Sequence, residues 1–184
     1  MRKVTAGLFV SLDGVTESPE EWQLPYFNDE MGEAVGAAMA QADAMLLGRV
    51  TYQEFASYWP GVSSEDQPFA DYMNNTPKYV VSTTLDEVEW SNSTLVKGDV
   101  AEEIAKLKQQ PGENIGITGS ATLVRSLLQN DLLDELTLMV HPVVVGSGER
   151  LFEDGEDRKA LELVDSKTFA TGVVYLAYRP ADEQ

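Results

Sequence analysis

The 184 residues are 43% hydrophobic and 24% charged, with no cysteine. That composition predicts a single globular domain over 1–184, able to hide roughly 70% of its unfolded surface. It excludes a disulfide scaffold, thiolate metal sites and a cysteine nucleophile. Thirteen Lys and Arg against 31 Asp and Glu leave a net charge of −18, a field that repels nucleic acid and anionic membranes and obliges any anionic ligand to find a local site. No stretch approaches the ~18–20 apolar residues of a membrane span, so a cytoplasmic protein is expected.

In chain order, Val4, Ala6, Leu8 and Val10 alternate on a first strand that ends in the turn Ser11-Leu12-Asp13-Gly14. Residues 15–27, with Pro19 and Pro25, are irregular. Asn28 or Asp29 can cap a helix that places Met31, Val35, Ala38 and Met39 on one face. Ala44 to Leu47 is a short buried strand closed by Gly48. A helix follows from Arg49, carrying Tyr52, Phe55 and Ala56, and a second short one lies near Phe69 to Met73. Tyr79-Val80-Val81 is a strand leading into Ser82-Thr83-Thr84, and Leu95-Val96 another. Asp99 and Glu102 resemble a capping box before a helix with Ile104 and Leu107, stopped by Pro111-Gly112. Ile115 to Ile117 is a strand. Gly119 turns it, and Ser120 caps a helix that buries Leu123, Val124, Leu127 and Leu128. Leu136, Leu138 and Val140 alternate on a long strand, which Pro142 interrupts and Val143 to Val145 continue. Leu161–Phe169 and Val173–Tyr178 read as a hairpin turned at Thr171-Gly172.

Strands alternating with helices over the first two-thirds predict parallel strands with helices on both faces. The strand-rich remainder predicts an antiparallel edge. The expected fold is therefore a three-layer α/β domain with a mixed, mostly parallel sheet and an antiparallel C-terminal hairpin. Leu132-Leu133, the strand from 136 and the hairpin carry more apolar residues than one half-exposed edge needs, which predicts a homodimer.

Ligands of open α/β sheets bind beyond the carboxyl ends of the strands. Those ends hold Ser11 and Asp13; Gly48, Arg49 and Thr51; Ser82, Thr83 and Thr84; and Thr118, Gly119 and Ser120. Small residues, hydroxyls, free backbone N–H groups and one arginine together outline a nucleotide cradle. Neither the G-x-G-x-x-G nor the G-x-x-x-x-G-K-[ST] fingerprint is present, and no spacing of acids and histidine predicts a metal site. His141, the sole histidine, reads as a hydrogen-bonded strand residue, and Glu153 to Asp157 as a solvated loop.

In order and spacing, these segments resemble the dihydrofolate reductase-like family, in the branch typified by the reductase domain of bacterial riboflavin-biosynthesis deaminase-reductases. The resemblance runs through Ser11-Leu12-Asp13-Gly14, Leu46 to Tyr52, Val81-Ser82-Thr83, Thr118 to Leu123, Leu132 to Leu136 and His141 to Gly148. It implies an NADPH-dependent oxidoreductase that passes a hydride to a pteridine, pyrimidine or related small heterocycle. On this resemblance Gly48, Arg49 and Thr51 would hold phosphates of the adenosine half. Ser82 and Thr83 would meet the adenosine side near the 2′-phosphate. Gly119, Ser120 and Ala121 would offer backbone N–H groups to the pyrophosphate, and Ser11 and Asp13 would flank nicotinamide and substrate. Asp13 is the expected proton donor, with Glu149, Tyr52 or water as alternatives. Two departures bear on the substrate. Phe27 stands where the dihydrofolate reductases carry an acid after a Leu-Pro pair, with Asp29 two residues late. Thr118-Gly119-Ser120 replaces a Glu-Gly-Gly of the riboflavin branch. The alternatives are a non-catalytic NADPH-binding module of the same fold, and a binding protein for another nucleotide.

Overall fold

The computed structural model describes residues 1–182. Eight strands form one sheet: β1 (Val4–Ser11), β2 (Ala42–Gly48), β3 (Lys78–Val81), β4 (Ser93–Val96), β5 (Asn114–Ile117), β6 (Glu135–His141), β7 (Leu161–Thr168) and β8 (Val174–Pro180). Their order is β4-β3-β2-β5-β1-β6-β8-β7. Pairings through β6 are parallel, and those of β8 with β6 and β7 are antiparallel. This is the mixed sheet with a C-terminal hairpin that the sequence predicts.

Helices α4 (Val100–Gln109) and α5 (Ala121–Gln129) cover one face, while α1 (Asp29–Ala40), α2 (Arg49–Tyr58) and α3 (Ala70–Asn75) lie on the other. Alternation assigns each residue its face. Val4, Ala6 and Leu8 pack with Ile115, Ile117 and the α5 stripe Leu123, Val124, Leu127 and Leu128. Each such side chain contributes about 1.5–3 kcal/mol of burial, which is why this short helix holds its place. The opposite face carries two separate clusters. Met45, Leu47 and Val80 pack with Tyr52, Met73 and Trp90. Met139, Phe169 and Val173 pack with Met31 of α1. The caps are side-chain hydrogen bonds: Asn28 accepts from the Met31 N–H at 3.1 Å, Asp99 from Glu102 at 2.9 Å and Ser120 from Leu123 at 3.3 Å.

Two local expectations fail. The strand does not resume after Pro142; β6 ends at His141. Pro142 has no N–H to donate, and the Val143 N–H turns back to the His141 carbonyl at 2.8 Å. The Val145 and Gly146 N–H groups are captured by Asp13. In α1, Ala38 is exposed rather than sharing the buried face, because the helix rests mainly on its first turns, around Met31.

Candidate functional site

Parallel pairing brings the ends of three strands level. Gly48 of β2 pairs with Val81 of β3, which pairs with Val96 of β4. The next residues, Arg49, Ser82 and Lys97, therefore stand in a row. Arg49 is exposed, and its Nη1 donates only to the neutral Gln53 Oε1 at 2.9 Å. Lys97 is exposed and reaches the Asp86 carbonyl at 3.4 Å. Other cations at this end of the sheet meet carboxylates: Arg125 has Glu149, Glu153 and Glu156, Arg150 has Asp13 and Lys167 has Asp165. Among the described residues, Arg49 and Lys97 have no carboxylate partner, so each keeps its charge available for an anion. Between them Ser82 Oγ accepts from the Thr84 and Leu85 N–H groups at 3.1 and 3.0 Å, a turn that presents the exposed Thr83. Lys97 was not singled out from the sequence. The strand register that sets it beside Ser82 could have indicated it.

Next to this row two helix starts converge. A Cβ on Gly48 would lie 2.7 Å from Ser120 Oγ, and one on Gly119 would lie 2.8 Å from Thr51 Oγ1. Both glycines thus permit an approach that any side chain would block. The first turn of α2 has no side-chain cap, while α5 is capped by Ser120 with buried Ala121 at its first position. Two positive helix ends with free N–H groups, beside two unpaired cations, make an anion cradle in a strongly acidic protein. Gly48, Arg49, Thr51, Ser82, Thr83, Gly119, Ser120 and Ala121 are brought together here.

Ser11 and Asp13 lie apart from that cradle, at the end of β1. Ser11 is 1% exposed; its hydroxyl donates to Asp13 Oδ1 at 2.6 Å and accepts from the Val15 N–H at 2.9 Å. Asp13 also accepts from the Val145 N–H at 3.0 Å and the Gly146 N–H at 2.8 Å, where Gly146 turns with φ +88°. The Ser11 hydroxyl, followed by those two amides, holds the Asp13 carboxyl down to about 2. A group with that pKa is protonated roughly once in 10⁵ at pH 7. The geometry makes Asp13 the anchor of the loop after β6 and leaves it ill-suited to giving a proton. The alternative donors are also engaged. The Tyr52 hydroxyl accepts from Glu89 and Trp90 N–H groups in the α2 cluster, and Glu149 Oε1 accepts from the Thr122 hydroxyl at 2.9 Å.

Paired with Ser11 across the strands is His141, fully buried. Phe9, Trp22 and Tyr26 meet its ring edge-on at centroid distances of 5.6, 5.2 and 5.8 Å. Nδ1 lies 2.8 Å from the Met139 carbonyl, which makes it the donor of a neutral ring, while Nε2 has no partner. Burial pushes its pKa down. The imidazole fastens the irregular 19–27 segment onto the strand ends. Leu24-Pro25 sits in a 3-10 turn of that segment, Phe27 is 42% exposed, and Asp29 is exposed in the first turn of α1.

Between the two clusters on this face, the middle of the sheet is bare. Gly7 of β1 is exposed although its strand has neighbours on both sides, and no atom lies within 4 Å of the Cβ it lacks. Gly116 pairs with Thr5 and Thr137 with Gly7 on the same face, and exposed Thr118 follows β5. These residues leave the sheet face open between the α2 cluster and the Met31 cluster. Among the described residues, no group of three or more His, Cys, Asp and Glu is placed to hold a metal, and no helix is long and apolar enough to cross a membrane.

Over residues 2–175 the chain matches the model of the family described as RibD C-terminal domain. It is 31% identical to the uncharacterized protein YyaP of Bacillus subtilis, over 96% of this chain and 94% of that one. A solved structure from Shewanella sp. PV-4, linked by its description to riboflavin biosynthesis, superposes with a TM-score of 0.80 at 22% identity, covering 98% of this chain and 99% of that one. Dihydrofolate reductase from Enterococcus faecalis, solved with NADP(H) and RAB-propyl, gives 0.65 at 15% identity, covering 98% and 97%. The fold is dihydrofolate reductase-like.

Proposed function

The chain belongs to the RibD C-terminal domain family, and from that premise we propose that it is an NADPH-dependent reductase of a small heterocyclic substrate. The observation that carries the reading is the cradle in which Gly48 and Gly119 let the starts of α2 and α5 close on each other beside Arg49, Ser82 and Lys97. A pyrophosphate suits two uncapped-to-singly-capped helix starts, and the 2′-phosphate, a further −1.5 to −2 charges or so, suits the row of cations. Gly48, Thr51, Gly119, Ser120 and Ala121 would hold the pyrophosphate, and Arg49, Ser82, Thr83 and Lys97 the adenosine end. Bound NADPH would supply the hydride, delivered to a carbonyl or imine carbon.

The chain's own contribution is to orient and to exclude water. The open sheet face leaves room for nicotinamide and substrate to lie face to face. The Asp13 carboxylate holds the loop after β6 in place, and His141 with Trp22 and Tyr26 walls one end of that face. With Asp13 held ionised and Tyr52 and Glu149 engaged elsewhere, the proton comes from water admitted there. NADPH oxidation followed across a panel of pteridines and pyrimidines tests the reading: turnover with any of them supports it.

A second reading, a non-catalytic NADPH-binding module, is favoured by that same lack of a side-chain donor at the open face. It predicts tight NADPH binding and no oxidation across the panel. We propose a homodimer. Leu138, Val140, Leu176 and Tyr178 share one face of the sheet and are only half buried, and Leu163 beside them is 50% exposed. Light scattering at micromolar concentration should give twice the 20.2 kDa chain mass; a single-chain mass would refute it. A cytoplasmic location belongs to the same reading.

A further inference from the structure

Away from the cradle, a groove of about 570 Å³ lies between α2 and the segment that joins β3 to β4. A volume of that order suits a small organic molecule. Tyr52 and Ala56 line it from α2, and Leu85 and Trp90 from the joining segment. The two sides are pinned to each other. The Tyr52 hydroxyl accepts from the Glu89 and Trp90 N–H groups at 3.0 and 3.1 Å, and the Trp90 indole N–H donates to Asn74 Oδ1 at 3.0 Å. The groove is therefore formed before any ligand arrives, which lowers the cost of binding one.

Its charge selects the sign of that ligand. Glu87 and Glu89 also line the groove and are exposed. Among the described residues neither carboxylate has a cation partner. The cations on the bordering elements are turned to other groups. Lys78 Nζ donates to the Asn74, Thr76 and Ser91 carbonyls at 3.2, 2.9 and 3.2 Å. Arg49 donates to Gln53 at 2.9 Å, and Lys97 to the Asp86 carbonyl at 3.4 Å. The last turn of α2, which brings Ala56 to the groove, carries no basic residue. The negative end of that helix thus adds to the field of the two carboxylates.

We propose that this groove is a binding site for a small organic cation, an ammonium group carried on an apolar body. The body packs against Ala56, Leu85 and the Trp90 indole, and the ammonium exchanges part of its hydration for charge-assisted hydrogen bonds to Glu87 and Glu89. The site is independent of the cofactor reading, because it uses neither the helix starts nor the row of cations.

Amide-shift titrations on the isotope-labelled full chain test it with three probes of similar size: 2-phenylethylamine, 2-phenylethanol and 3-phenylpropionate. The amine should shift the Gln53, Glu87, Glu89 and Ser91 amides and the Trp90 indole N–H at millimolar concentration. It should bind about tenfold tighter than the alcohol, a gap that narrows in high salt, and the acid should leave those signals unmoved. Glu87→Gln with Glu89→Gln should bring the amine down to the alcohol's affinity with an unchanged melting curve. Glu33→Gln with Asp154→Asn removes the same two charges from exposed positions elsewhere and should leave amine binding intact. Equal binding of amine and alcohol overturns the proposal, as does a groove silent to the amine. An equal loss in the Glu33 and Asp154 variant also overturns it, since the attraction would then belong to the net charge and not to the groove.

Discussion

Gly48→Ala probes the junction on which the cradle depends. Gly48 has φ −74° and ψ 163°, extended values open to any residue, so the backbone does not resist the change. The resistance is steric. The new Cβ would stand 2.7 Å from Ser120 Oγ and 3.3 Å from Ser120 Cβ, and α2 must shift away from α5 to relieve it. Overpacking of this kind costs about 1–3 kcal/mol. Ser120→Gly removes both offending atoms. On its own it loses the cap on the Leu123 N–H, which costs only a few tenths of a kcal/mol when glycine is the replacement. The double variant should therefore be more stable than Gly48→Ala alone, with a coupling of about 1–2 kcal/mol. Urea denaturation of the four proteins measures this. NADPH titration of the same set should follow it, with Gly48→Ala weakened about tenfold and much of the loss recovered in the double variant. Losses that simply add would show that the two helix starts do not touch as described.

Asp13→Asn should loosen the loop after β6, since its amide nitrogen would replace one of the two oxygens and face either the Val145 or the Gly146 donor. Faster hydrogen exchange at those two amides and a lower melting temperature are expected. Because Asp13 is held to about 2 against an ordinary aspartate value of 3.8, its contribution is complete above the unfolded pKa near 4 and is lost as pH falls through 2. The stability gap between parent and variant should close over that interval; a gap independent of pH would refute the anchoring role. For His141 the folded pKa lies below the unfolded 6.5. Acid therefore protonates the unfolded chain first, and stability falls as pH drops below about 6.5. His141→Phe should flatten that acid arm in denaturant titrations, and an unaltered arm would show that the imidazole titrates freely.

The sheet was legible because its strands are short apolar runs bounded by turn residues, and because Asn28, Asp99 and Ser120 sit where caps belong. The loop after β6 was not. Val143 to Val145 look like strand by side chain, but whether they pair depends on a carboxylate 132 residues away that takes the Val145 N–H. The same long-range contact makes the Asp13 carboxylate an anchor of that loop. The cradle's residues were visible at the strand ends, whereas the closeness of Gly48 to Ser120 and of Gly119 to Thr51 is a matter of tertiary approach. Lys97 became apparent only from the register of β3 with β4. The open sheet face was hidden for a related reason, since Gly7 inside an apolar strand gives no sign that the space above it is empty.

Calorimetric titration of NADPH and NADH into the parent, Arg49→Ala and Lys97→Ala tests the central claim most directly. A charge-assisted hydrogen bond to the 2′-phosphate contributes about 1.5–3 kcal/mol, or roughly tenfold to a hundredfold in affinity. The parent should prefer NADPH. Arg49→Ala should lose that preference by about this factor, Lys97→Ala should lose a smaller share, and NADH binding should be nearly unchanged in both. Equal losses for the two cofactors would move Arg49 to the pyrophosphate, and a parent that binds neither would contradict the account of the cradle.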